Sequence, residues 1–294
     1  MTDIRTASTA DTAVSERLAS LRALLTEAAP VVVAFSGGVD SSLLAWVAHD
    51  ELGPQQAHAV TAVSPSLAET ERGEARRLAG SWGLRHSEVE TLEMERAAYR
   101  SNDSLRCAHC KDALMDALEP LATAEGATVT LGVNLDDLGD HRPGVAASES
   151  RGARFPLVEA GFTKEEVRAA AHSLGLEVWD KPAAPCLASR LPYGTPVSAP
   201  VLRTVGRAEA ALAGLGFEEL RVRHYDDLAR IEVPPDRLGD VVDARAAVVA
   251  AVQAAGYSYV TLDLEGLRSG NLNAALGEAA GDATAGSHAP TTAG

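Results

Sequence analysis

The chain reads as an α/β protein, a doubly wound parallel sheet followed by a second, smaller C-terminal α/β domain. Three features predict this. Val31-Val32-Val33-Ala34-Phe35 is an apolar, largely β-branched run without polar alternation, as expected of a central parallel strand buried on both faces. Short strand-like runs then alternate with helical stretches, the pattern of βαβ units. Beyond Pro182 and Pro185 the same pattern starts again on a smaller scale.

Taken in order, the stretch from Met1 to about Ala13 is small and polar, and 1–14 is expected to be a disordered lead. From Ser15 onward Leu18, Leu21 and Leu25 recur at helical spacing, so a helix precedes the first strand. After that strand Leu43, Leu44, Trp46 and Val47 continue as a covering helix. Ala57–Val63 is the second strand and Ser87–Val89 the third, with a Glu- and Arg-rich helix from about Leu67 to Trp82 between them. Leu114, Met115, Leu118 and Leu121 mark the next helix, and Thr128–Asn134 the next strand. Thr163-Lys164-Glu165-Glu166 opens a helix through a capping-box pattern.

Pro182 and Pro185 forbid a helix around Cys186 and mark the domain boundary, giving domains 15–182 and 183–276. In the second domain a helix from about Ala199 to Leu212 is followed by strands Leu220–Tyr225 and Ala229–Val233. A helix Arg237–Ala254 and a strand Tyr259–Leu262 complete it. Residues 277–294 are rich in Gly, Ala, Ser and Thr and are expected to be a disordered tail.

The 294 residues carry 46% hydrophobic and 23% charged side chains, ordinary for a globular protein of two domains. No apolar run is long enough to span a membrane and the N-terminus has no apolar signal core, so a cytoplasmic protein is expected. A net charge of -15 argues against a general grip on nucleic acid, which needs clustered Lys and Arg. Two of the three cysteines sit in a C-x-x-C, which in a reducing compartment points to metal binding or chemistry before a structural disulfide.

Directly after the first strand comes Ser36-Gly37-Gly38-Val39-Asp40-Ser41-Ser42. The glycines allow a tight turn and close approach to a ligand, the serines add hydroxyls, and the helix starting near Ser41 points free N–H groups at the same spot. That is an anion cradle. A polar, turn-rich segment, Leu135 to Gly144 with Asp137, follows the strand that ends Gly132-Val133-Asn134, where a nucleotide-binding loop belongs in such a sheet. Cys186 stands between the prolines, Ser189 and Arg190, a poor context for a core residue. Arg190 and Lys181 are the nearby cations expected to favour its thiolate, the nucleophilic form. Arg221 and Arg223 alternate on one strand and so share a face; with Ser189 and Arg190 they are candidates for holding a phosphate. Glu209, Glu232 and Asp240 are candidates to complete that pocket or to hold a metal.

The string SGGVDSS lacks the Lys of a Walker A loop and resembles the PP-loop of the ATP pyrophosphatases, which cleave ATP between the α and β phosphates. With RCAHCK, GVNLDDLGDHRPG and PAAPCLASRLPYG the resemblance narrows to the LarE family of ATP-dependent sacrificial sulfur transferases, and it covers roughly Ser15 to Leu276. Ala108 and His109 stand where many relatives carry an aromatic.

The resemblance implies ATP bound by Ser36–Ser42, Gly132, Asn134 and Asp137, with Mg²⁺ near Asp40. It implies a pyridinium dicarboxylate mononucleotide as substrate, adenylated at a carboxylate and then attacked by Cys186. Cys186 would end as dehydroalanine. It also implies a homo-hexamer and a place among the proteins that build the nickel-pincer cofactor of lactate racemase. Some relatives suggest an alternative in which Cys107, Cys110 and Cys186 hold an iron-sulfur cluster that carries the sulfur. Rival functions on the same fold are a tRNA thiolase, an ammonia-using synthetase and a non-catalytic nucleotide sensor.

Overall fold

The computed structural model describes residues 9–138 and 143–268. The expected lead through residue 8, the tail from 277, and Gly139, Asp140, His141 and Arg142 of the acidic loop lie outside the described residues. Two compact units divide the chain: one runs to Cys186 and takes in Pro196–Ala199, the other takes Leu187–Thr195 and the chain from Pro200 onward.

The first unit contains, in chain order, α1 (Thr9–Ala28), β1 (Val31–Ala34), α2 (Val39–Leu52), β2 (Ala57–Val63), α3 (Glu69–Ser81) and β3 (His86–Glu90). There follow α4 (Ala97–Arg100), α5 (Arg106–Glu125), β4 (Thr128–Leu131), α6 (Pro143–Ser150), α7 (Pro156–Glu159) and α8 (Lys164–Ser173). The four strands form a parallel sheet in the order β3-β2-β1-β4. Successive side chains of a strand point to opposite faces, and β1 shows the result. Val31, Val33 and Phe35 enter a core with Leu21 and Leu25 of α1, Leu43 and Leu44 of α2, and Phe162. Val32 enters another, with Met115 and Leu118 of α5 and Val129 of β4. Each such side chain contributes roughly 1.5–3 kcal/mol on burial, so the unbroken apolar run is what both layers of helices require.

Strand order reverses at β1, because β2 and β3 lie on one side of it and β4 on the other. Open α/β sheets bind ligands beyond the carboxyl end of the strand at such a reversal, and Ser36–Ser42 is the segment found there.

The second unit holds most of α9 (Ala199–Ala213), then β5 (Arg221–Tyr225), β6 (Leu228–Glu232), α10 (Leu238–Asp243), α11 (Arg245–Ala255) and β7 (Tyr259–Leu262). β5 and β6 are antiparallel, β6 and β7 parallel. Leu212, Val222, Ile231, Val252 and Tyr257 belong to its core.

Some elements differ from the sequence expectation. α1 starts at Thr9, earlier than Ser15, so the end of the expected lead is helical. β4 stops at Leu131, where the Val133 N–H turns back to the Leu131 carbonyl. The expected helix Arg237–Ala254 is broken at Ala244, and the change of direction brings Val241 of α10 and Val248 of α11 into one core. Among the described residues no helix is long and apolar enough to cross a membrane.

Candidate active site

The loop between β1 and α2 braces itself. The Ser36 N–H donates to Ser41 Oγ at 3.2 Å, Ser41 Oγ donates to the Gly38 carbonyl at 3.1 Å, and the two hydroxyls lie 3.0 Å apart. Gly37 has φ +72°, and a Cβ there would stand 3.3 Å from Ala75 Cα. Gly38 caps α2 without a side-chain bond, so the first-turn N–H groups keep their capacity for an anion. Ser42 Oγ is buried beside them without a hydrogen-bond partner.

The loop after β4 meets this one. Gly132 packs so closely that a Cβ would come within 2.7 Å of Ser41 N. Asn134 Nδ2 donates to Asp40 Oδ1 at 2.9 Å, and the Asn134 N–H donates to Asp137 Oδ2 at 3.2 Å. Gly132 and Asn134 thus contact the cradle loop directly, and Asp137 reaches it through Asn134. Lys164, which that reasoning missed, donates to Asp40 Oδ2 at 2.5 Å from the first turn of α8. The Thr163 capping box that fixes this turn was visible in the sequence, but not its proximity to Asp40. A magnesium ion bound with nucleotide needs one or two carboxylates besides the phosphates. Asp40, in the first turn of a helix beside the cradle, fits that requirement.

Cys107 and Cys110 lie in the first turns of α5; Cys107 and Cys186 are exposed, and Cys110 is half-buried. Burial, then the nearby Cys186 and Glu93, push the Cys110 thiol up to about 12. Burial alone would lower Arg106, but Cys186, Cys107 and Tyr99 act on its guanidinium and hold it above its ordinary value. Cys186, far from the other two cysteines in sequence, therefore acts on Cys110 and, with Cys107, on Arg106. Arg106 also donates to Asn102 Oδ1 at 2.6 Å. The cations expected beside Cys186 are engaged otherwise. Lys181 reaches Glu71 at 2.8 Å and the Gly37 carbonyl at 3.2 Å, and Arg190 pairs with Glu209 at 2.8 Å. Among the described residues no group of three or more His, Cys, Asp or Glu is arranged to hold a metal ion, so the cysteines as placed do not form a cluster ligand set.

In the second unit Ser189 and Arg190 stand on a single 3-10 turn, Leu187–Arg190. Arg190 grips Glu209 with two N–H groups, at 2.8 and 3.0 Å, and Arg223 pairs with the fully buried Glu232 at 2.7 Å. Arg223 also donates to the Ser189 carbonyl at 2.8 Å. Desolvation, then the like charge of Arg190, lowers Arg221. Ser189, Arg190, Arg221, Arg223, Glu209 and Glu232 thus form one cluster, in which the two carboxylates hold arginines and make no ligand set for a metal. Asp240 is engaged instead by Arg237, at 2.6 Å on the surface.

Residues 15–107, which contain the cradle, match the asparagine synthase family model. An uncharacterized protein of Synechocystis sp. is 47% identical over 263 residues, 88% of this chain and 98% of that protein. The pyridinium-3,5-bisthiocarboxylic acid mononucleotide synthase of Lactiplantibacillus plantarum is 38% identical over 264 residues, 89% of this chain and 95% of the synthase. An uncharacterized protein of Methanocaldococcus jannaschii is 24% identical over 240 residues, 81% of this chain and 91% of its own length. Identity to the synthase along nearly the whole of both chains makes this chain a member of the pyridinium-3,5-bisthiocarboxylic acid mononucleotide synthase family, the LarE family that its motifs resemble.

Proposed function

We propose that the chain is an ATP-dependent sulfur transferase of nickel-pincer cofactor biosynthesis, acting on pyridinium-3,5-biscarboxylic acid mononucleotide with Cys186 as the sulfur source. The observation that carries this reading is that one unit holds both the phosphate cradle at the switch point and an exposed thiol acting on Arg106.

A substrate carboxylate oxygen attacks the α phosphorus of ATP, and pyrophosphate leaves. N–H groups of the Gly38–Ser41 turn take up the charge moving onto pyrophosphate. Asp40 would hold Mg²⁺, which neutralises charge on phosphate oxygens when bound. The Cys186 thiolate then attacks the acyl carbon and AMP leaves, giving a thioester. Removal of the Cα proton of residue 186 sends its electron pair into a new Cα–Cβ double bond as the Cβ–S bond breaks. The sulfur keeps that bond's electrons as the substrate's thiocarboxylate, and dehydroalanine remains. Arg190, Arg221, Arg223 and Ser189 supply donors for the substrate's phosphate, with Glu209 and Glu232 orienting the guanidinium groups.

Incubation with ATP, Mg²⁺ and the pyridinium substrate should lower the intact mass of each chain by one H₂S, with one sulfur transferred per chain. Cys186→Ala should abolish transfer, whereas a nucleotide sensor or amide-forming synthetase would keep its activity. An unchanged mass with repeated turnover rejects the sacrificial reading. A second reading, an iron-sulfur cluster on Cys107, Cys110 and Cys186, would need the three thiols to close up from their present placement. Bound iron and visible absorbance in anaerobically prepared protein would support it.

A further inference from the structure

We infer that Lys181 is a positioning residue that couples occupancy of the phosphate loop to the segment carrying Cys186, an inference that rests on reading Ser36–Ser42 as a phosphate cradle. Lys181 is pinned at its backbone: its carbonyl accepts from Arg168 at 2.9 Å and its N–H donates to the Val178 carbonyl at 3.1 Å. Arg168 also donates to the Trp179 carbonyl at 2.9 Å, which ties this stretch to α8. The side chain runs the other way. Its ammonium donates to the Gly37 carbonyl at 3.2 Å, inside the left-handed turn of the cradle, and to Glu71 Oε2 of α3 at 2.8 Å. Glu74, the next acid on the same helix, is lowered mainly by its hydrogen bond from Arg77 and in small part by Lys181.

From this fixed point Pro182-Ala183-Ala184-Pro185 leads to Cys186 with no regular secondary structure. Each proline fixes its own φ, so the tether is short and stiff. A polyphosphate in the cradle brings several negative charges to the loop that Lys181 already touches, where they compete with Glu71 for the ammonium. Displacing that ion pair pulls the Lys181 side chain against the Arg168 and Val178 hydrogen bonds that hold the start of the tether, and the thiol at its end responds. An ordinary structural ion pair would lack this link between nucleotide and thiol.

The test is the rate of Cys186 alkylation by iodoacetamide in the full chain, resolved from Cys107 and Cys110 by peptide mass mapping. It is run with and without Mg²⁺ and an ATP analogue carrying a methylene between the α and β phosphorus atoms, so no chemistry is needed. In the native chain the analogue should change the rate by at least about fivefold, the low end of ordinary coupling between sites. Lys181→Met should bind the analogue yet lose this response, and Lys181→Arg should keep it. Glu71→Gln, without nucleotide, should move the rate toward the nucleotide-bound value. A Lys181→Met chain that responds like the native one overturns the inference, as does a native chain that binds the analogue without any change at Cys186. Failure of the native chain to bind the analogue would overturn the cradle reading itself, and this inference with it.

Discussion

Arg106 is the guanidinium on which both Cys107 and Cys186 act, and the position next in sequence to a C-x-x-C gave no hint of the second partner. Sequence proximity favoured Lys181 and Arg190 instead, but folding turned one to the phosphate loop and the other to Glu209. The exposure of Cys186 was legible because prolines and polar neighbours make a poor core; its neighbour Arg106 was not, because it comes from α5. Cys110, pushed up to about 12 mainly by burial, stays a thiol across the neutral range. Timed labelling with mass mapping should therefore find Cys110 modified last.

Among elements, the phosphate loop depends on glycine in two ways. At Gly37 the left-handed backbone would cost an alanine about 1–2 kcal/mol. At Gly132 the obstacle is the backbone of Ser41 itself, which cannot move without deforming the cradle. Gly132→Ala should weaken nucleotide binding by more than about tenfold in a calorimetric titration, roughly the loss of one charge-assisted hydrogen bond. On α3 and β3, Arg72 and Arg76 hold the Glu88 carboxyl down to about 2. The unfolded chain takes up that proton near pH ~4.3, so the stabilisation is complete above that value and is lost as pH falls toward about 2. Glu88→Gln should flatten this part of the acid limb in thermal melts. The strands and the start of α8 were legible because periodicity and caps are local signals. The break at Ala244 was not, since packing of Val241 and Val248 decides it and no Gly or Pro marks it.

At the scale of the whole molecule each unit builds its own core, and that of the second has a charged centre. Glu232 is fully buried between Arg223 and Arg230, so removing its charge leaves the buried Arg223 without its carboxylate, while Arg230 keeps Asp263. Glu232→Gln should destabilise the protein by about 3 kcal/mol, seen as a lower midpoint in denaturant unfolding. Alternation along β5 showed that Arg221 and Arg223 share a face, but a period of two names no partners, and Glu232 on the paired strand stood in the sequence as a possible metal ligand.

The exposed sulfur at the end of the first unit's long run has a consequence for bookkeeping inside a cell. On the sacrificial reading every used copy keeps an electrophilic alkene in an accessible place, open to addition by small thiols. Tagging that alkene in lysates would count spent copies against fresh ones, and the spent number would equal the sulfur atoms delivered since the copies were made.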